Sequence, residues 1–133
     1  MGLIGSTLAG RLLAAGHGVL GHDPDAARGA LLEKSGGRSA GAAAVWESDI
    51  LISAVFSTDQ LARIIEEAPR GTGKVLVTMS TCDPDHVTDL AQVADDRGIT
   101  LVEAPISGSS KQVQEGTALL LLAGDPAALD AFE

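Results

Sequence analysis

A chain of 133 residues has the length of one domain and can bury roughly two-thirds of its unfolded surface. Hydrophobic residues make up 45% of it and aromatic ones only 2%, so the core has to be built from Ala, Val, Leu and Ile, which favours helices packed on a sheet. A net charge of −9, from 18 acidic residues against 9 basic ones with no basic cluster, excludes nucleic acid and anionic membrane as expected partners.

The chain opens on helix, turn, strand and acid. Ile4, Leu8 and Leu12 recur every fourth residue with Leu13 beside them, which predicts a helix starting almost at the first residue and ending at Gly16, where a left-handed cap is needed. Val19 to His22 reads as a short strand. Asp23-Pro24 then offers an N-cap followed by proline for a second helix, which passes through Leu31 and Leu32 and stops at Gly36-Gly37. A brief edge strand fits Arg38-Ser39, and a short helix fits Ala42 to Trp46.

Ile50 to Phe56 is apolar on both faces, which predicts a central parallel strand covered by helices on each side. Ser57 and Gln60 have capping-box spacing, and Leu61, Ile64 and Ile65 mark the buried face of the helix they open. Lys74 to Ser80 reads as another buried strand. Asp83-Pro84 opens a helix with Val87, Leu90, Ala91 and Ala94 inward, closed by Gly98 before a strand from Thr100 to Ala104. Pro105 to Gly116 reads as a polar, glycine-bearing loop and Thr117 to Ala123 as a last apolar strand. Asp125-Pro126 opens a final helix that runs to Glu133.

No repeat, low-complexity tract or linker interrupts this order, so residues 1–133 are expected to form one domain. Its predicted class is α/β, a Rossmann-like, doubly wound, mostly parallel sheet with helices on both faces and ligands beyond the carboxyl ends of the strands. No apolar run approaches the ~20 residues that span a bilayer, and the amino terminus lacks a secretory-signal pattern. The lone cysteine, Cys82, excludes an internal disulfide and suits the reducing cytoplasm, which is the expected location.

The strand ends carry the candidate chemistry. Gly2 and Gly5 have the spacing of the last two glycines of G-x-G-x-x-G, in which one lets backbone approach a pyrophosphate and the next lets helix pack close to strand. The first glycine and the strand before it are not in the chain, so the sheet is expected with its first strand missing. Asp23 follows the next strand at about the 20-residue distance where an acid accepts hydrogen bonds from the adenosine ribose. A carboxylate there repels a 2′-phosphate, and Pro24 rather than an arginine follows it, which favours NAD over NADP. Both features also have plainer readings, as helix-start glycines and a helix cap.

Ser57-Thr58, Thr81 and Cys82 lie at further strand ends and fit ordinary turns, and nothing nearby marks Cys82 as a nucleophile. Ser107-Gly108-Ser109-Ser110 combines hydroxyls and glycine in a loop whose N–H groups can hold a carboxylate, or simply turn the chain. No metal site is expected.

Taken together, Gly2-Leu3-Ile4-Gly5, Ala15-Gly16-His17, Asp23, Asp49, Met79-Ser80-Thr81, Ala104-Pro105-Ile106-Ser107-Gly108, Gly116-Thr117 and Gly124-Asp125 resemble the β-hydroxyacid dehydrogenases. That family includes 3-hydroxyisobutyrate and 6-phosphogluconate dehydrogenases. The motifs fall in the family's order and spacing over essentially the whole chain. The resemblance implies an NAD(P)-binding Rossmann domain, completed in the family by an all-helical domain and usually by dimerisation. It puts Gly2, Leu3, Ile4 and Gly5 on the pyrophosphate, Asp23 on the adenosine ribose, Val55 and Phe56 on the nicotinamide side and Thr81 on the cofactor ribose. Ser107, Gly108 and Ser109 would hold the carboxylate of a small 3-hydroxy acid.

Three departures bear on substrate identity rather than fold: Phe56 stands where the family commonly has proline, Thr78 replaces an acid, and Ser109 replaces a second glycine. The family's catalytic lysine lies in the helical domain, beyond Glu133, and none of Lys34, Lys74 and Lys111 matches it. The expected function is therefore the cofactor-binding half of an oxidoreductase, inactive alone, with NAD as cofactor and a homodimer as a possible assembly. The alternatives are a non-catalytic nucleotide-binding or dimerising module and, more distantly, a methyltransferase using S-adenosylmethionine. Met1 is expected to mark a start inside the glycine loop with a strand encoded upstream, and the chain is expected to be marginally stable without that strand.

Overall fold

The computed structural model describes residues 1–130. In chain order its elements are α1 (Leu3–Ala14), β1 (Leu20–Gly21), α2 (Ala26–Lys34), β2 (Arg38–Ser39), α3 (Ala42–Val45), β3 (Ile50–Ser53), α4 (Thr58–Glu66) and β4 (Lys74–Thr78). Then follow α5 (Pro84–Asp95), β5 (Ile99–Glu103), β6 (Ile106–Ser107), α6 (Ser110–Glu115), β7 (Leu119–Leu120), β8 (Ala123–Gly124) and α7 (Pro126–Leu129). The described residues group into two compact units, Met1–Ser48 with Gly108–Leu119, and Asp49–Ser107 with the chain from Leu120 onward.

In the first unit α1 begins and ends where its apolar spacing and glycines predict, with Gly16 left-handed just past its end at φ +88°. β1 and β2 pair in parallel, Leu20 with Arg38 and Gly21 with Ser39. Glycine permits the close approach of α2: a Cβ on Gly21 would come within 2.7 Å of Leu32 Cδ2, and one on Gly29 would run into Ser39 Oγ. Asp25, not Asp23, caps α2 by accepting a hydrogen bond from Ala27 N at 3.0 Å. Pro24 therefore lies before the helix rather than in its first turn. The expected Pro105–Gly116 loop is only partly a loop, because Ser109 and Gln112 form a complete capping box that starts α6. Gly116 ends that helix in the left-handed region, and Arg11 Nη1 of α1 donates to Gln114 O at 2.9 Å.

The second unit is a four-stranded sheet in the order β3-β4-β5-β8, parallel except for the β5–β8 pair. Leu51, Leu76 and Leu101 stand in register and share one face, while Ile52, Val77 and Val102 share the other. Leu61 and Ile65 of α4, Ala94 of α5 and Ile99 of β5 are fully buried or nearly so. Ala128 and Leu129 of α7 pack against Val77, Val102 and Ala104. Asp83 and Asp125 cap α5 and α7, each followed by proline in the first turn, as the two Asp-Pro pairs predict.

Two expectations are corrected here. β3 is an edge strand rather than a central one, and Ile50 and Ile52 are 57% and 41% exposed. It pairs with β4 on one side and no described strand pairs with the other; of its two faces, the one carrying Leu51 and Ser53 is buried and the one carrying Ile50 and Ile52 is open. The expected strand from Thr117 to Ala123 breaks into β7 and β8, and Leu119, Leu120, Leu121 and Leu122 are all exposed. An apolar run alone does not say whether anything covers it. The expected final helix is described through Asp130, and its remaining residues lie outside the described ones.

Candidate functional site

Gly2 is the N-cap of α1, in extended conformation and with no side chain to offer the helix. The N–H groups of Leu3, Ile4 and Gly5 therefore have no intrahelical acceptor, and no acidic residue occupies the first turn. These groups and the positive end of the helix dipole suit an anion such as a pyrophosphate.

Asp23 follows β1. Its carboxylate accepts from Asp25 N at 2.9 Å and pairs with the Met1 α-amino group, leaving the side chain 9% exposed. That ion pair joins the glycine end of α1 to the acid after β1. Because Asp25 performs the capping, the plainer reading of Asp23 as the helix cap does not hold. Burial, and then the nearby Arg28, push the Met1 ammonium below the usual range of an amino terminus.

Sequence reasoning did not single out Arg28. It sits in the first turn of α2, its Nε 3.5 Å from Asp25 Oδ2, and its Nη1 lies 3.4 Å from where a Cβ on Gly2 would stand. It also lines a recess of about 100 Å³ with Met1, Ser6 and Leu31. The signal was present but nonlocal: the third residue after a cap points back toward the helix's amino end.

In the second unit the loops after β3 and β4 are tied together. The Ser80 hydroxyl donates to Val55 O, and Asp83 N donates to Thr58 Oγ1 at 3.1 Å. This brings the Val55-Phe56 loop and the Thr81 loop to one end of the sheet. Gln60 Oε1 accepts from Phe56 N at 2.8 Å, and the Phe56 side chain is 96% exposed, which leaves an aromatic surface free for contact. Beneath these loops Ser53, Thr78 and Ser80 form a buried polar layer, in which Thr78 Oγ1 accepts from Ser80 N at 3.4 Å. Ser53 Oγ has no partner among the described residues. The periodicity of an apolar strand hides such a layer.

Cys82 follows this layer, half-buried, and donates weakly from Sγ to Ser80 O. Burial, with the negative charge of Glu103 behind it, raises its thiol above the usual cysteine range, which disfavours the thiolate a nucleophile needs. No group of three or more potential metal ligands occurs among the described residues.

Ser107 ends β6 in the second unit, whereas Gly108 and Ser109 belong to the first. Gly108 has φ +148°, and a Cβ there would come 3.2 Å from the Ala118 Cβ. Ser109 N donates to Gln112 Oε1 at 2.8 Å and Ser109 Oγ accepts from Gln112 N at 3.3 Å, so this serine's backbone donor is engaged within its own helix. The Ser-x-x-Gln spacing would have found this cap. Lys111 is exposed and 3.8 Å from Glu115 Oε1, a solvated side chain.

In the first unit the free helix-end donors suit a phosphate and the half-buried Asp23 carboxylate suits a ribose hydroxyl; in the second, Phe56 presents an exposed ring at a strand end. The model of the family described as the NAD binding domain of 6-phosphogluconate dehydrogenase matches residues 1–133. Cytokine-like nuclear factor N-PAC of Danio rerio is 36% identical over 133 residues, covering 94% of this chain and 29% of that protein. An imine reductase from Pseudomonas sp. superposes with a TM-score of 0.87 at 27% identity, over 98% of this chain and 47% of that one. The 3-hydroxyisobutyrate dehydrogenase of Mycobacterium tuberculosis does so with a TM-score of 0.86 at 24% identity, over 98% of this chain and 46% of that one, and so shares the fold. The chain thus spans between a quarter and a half of the length of these relatives. Matched along all of its residues, it belongs to the β-hydroxyacid dehydrogenase family as a 6-phosphogluconate dehydrogenase-type NAD-binding domain.

Proposed function

We propose that this domain binds NAD in preference to NADP and serves hydride transfer between the nicotinamide and a small 3-hydroxy acid. The observation that carries the reading is the half-buried Asp23 carboxylate placed at the glycine end of α1. Gly2, Leu3, Ile4 and Gly5 would hold the pyrophosphate through backbone N–H groups, and Asp23 would accept from the adenosine ribose. Phe56 and Val55 would flank the nicotinamide, and Thr81 would meet the second ribose. When bound, the cofactor supplies the hydride acceptor. Ser107 and Gly108 would orient the substrate carboxylate, with the Ser109 hydroxyl as a further polar contact.

No lysine in these 133 residues takes the position of the family's general acid or base, so the chain alone is expected to bind cofactor without turnover. Calorimetric titration of the chain tests this: NAD should bind more tightly than NADP. Equal affinities would remove the assignment of Asp23, and rapid NAD reduction with 3-hydroxy acids would remove the claim of inactivity.

A second reading is a non-catalytic nucleotide-binding or dimerising module. It is favoured by the 36% identity to proteins named as nuclear factors rather than as enzymes. Those names also make the nucleus the alternative to the cytoplasm as a location. NAD binding with no activity after the chain is joined to a lysine-bearing helical domain from the family would favour this second reading.

A further inference from the structure

We propose that β3 is an association edge, at which two copies of this chain join their four-stranded sheets by antiparallel pairing of β3 with itself. The inference is independent of the dinucleotide reading above. It starts from a difference between the two edges of one sheet. At one edge β8 is two residues long, Gly124 at its end has φ +155°, and Asp125-Pro126 follows, so a charge and a missing N–H discourage any further strand. At the other edge β3 runs for four residues, Ile-Leu-Ile-Ser, with no charge, proline or glycine to blunt it. Its outer side has no strand partner among the described residues, and Ile50 and Ile52 lie exposed beside it.

Symmetry and charge make a second copy the occupant of this edge. Two identical edges related by a two-fold axis meet antiparallel, and paired residues share a face. Because side chains alternate, a register centred on Leu51 sets Ile50 of each copy opposite Ile52 of the other, gathering the exposed isoleucines of both on one face. No like charges meet across this seam, although each chain carries a net charge of −9.

The same register has a second consequence. Asp49, directly before β3, comes opposite Ser53 of the second copy. Ser53 is buried and its Oγ has no partner, while Asp49 is exposed and makes no hydrogen bond or ion pair among the described residues. A carboxylate at that position can accept from the hydroxyl, so a donor that its own chain leaves unpaired finds an acceptor in the second copy. The blunt β8 edges then lie at both ends of the joined sheet, which closes the assembly at two chains. A four-residue seam is short beside the interface of a permanent dimer, so association belongs in the micromolar range and tightens as salt screens the net charge.

Sedimentation equilibrium of the 133-residue chain at micromolar concentrations should show monomer and dimer in exchange, and amide exchange in residues 50–53 should slow as concentration rises. Ile50→Lys alone, and Ile52→Glu alone, should each weaken the dimer by about tenfold or more, because a charge is then held against isoleucine. An equimolar mixture of the two variants should recover it, since the new charges are of opposite sign and face each other. Ser53→Ala should weaken the dimer by about threefold while leaving the monomer no less stable to urea. The inference is overturned if the chain is monomeric throughout, if Ile50→Lys and Ile52→Glu leave its dimer unaffected, if their mixture associates no better than either alone, or if Ser53→Ala leaves the dimer as tight as before. Unchanged circular dichroism shows that the variants are folded. Should one unfold, amide exchange in the unsubstituted chain decides: exchange in residues 50–53 that is independent of concentration overturns the inference. A monomer that binds NAD overturns it too, and leaves the dinucleotide reading standing.

Discussion

The two compact units differ in how they are held together. The second unit buries Leu61, Ile65, Leu76, Val77, Ile99, Val102 and Ala104 around a four-stranded sheet. The first buries Ala9, Leu32, Trp46 and Val113 around two strands of two residues each, and brings α2 close by omitting side chains at Gly21 and Gly29. The proposed phosphate and ribose contacts lie in the thinner unit. Less apolar area removed from water leaves less stabilisation to offset chain entropy, so the adenosine end is expected to gain order from its ligand.

Core truncation separates the units most sharply. Leu61→Ala should cost about 2–5 kcal/mol in urea unfolding, because its site has no exposed wall to collapse. Leu32→Ala should cost less, since Leu32, although buried, borders the recess beside Arg28 and its neighbours can close over the gap, and equal losses would break the comparison.

Asp23→Ala comes next. If the acid reads the ribose, NAD affinity should fall by about 1–3 kcal/mol, the cost of leaving a polar partner unpaired. Unchanged affinity by calorimetry would leave the thin unit without its assigned role.

Ser109→Ala should destabilise α6 by about 1 kcal/mol through loss of its capping box, read as faster amide exchange in Lys111 to Gln114. If exchange is unaffected, the hydroxyl is free for a substrate and the role of Ser109 is not structural.

The smallest effect belongs to Cys82. Its raised thiol should alkylate with iodoacetamide more slowly than free cysteine at neutral pH, with the whole rate profile displaced toward alkaline pH. An accelerated reaction would reverse the reading of that strand end as unreactive.

Much of the element order was legible because its signals are local. The leucine spacing of α1, the Asp-Pro starts of α5 and α7 and the glycine stops after α1 and α5 act within about four residues, the reach of a helical hydrogen bond. The start of α2 was misplaced because Asp23 and Asp25 flank one proline and both are competent caps. Hydrogen bonding chose Asp25, which left Asp23 for the glycine end of α1. The start of α6 was missed although Ser109 and Gln112 carry the same spacing that revealed α4.

By itself the amino-acid sequence determined the α/β class, the succession of helices and strands, the motif set that places the chain in its family, and the candidacy of Gly2, Gly5 and Asp23. Capping, periodicity and motif spacing are properties of neighbouring residues, so they survive without a structure. Tertiary structure alone decided that β3 lies at a sheet edge with Ile50 and Ile52 exposed, and that the leucines from Leu119 to Leu122 are uncovered. It also decided that Ser53 and Thr78 form a buried polar layer and that Arg28 stands beside Gly2. Strand pairing and burial depend on residues far apart in the chain, and a pattern read along one segment carries no record of what packs against it.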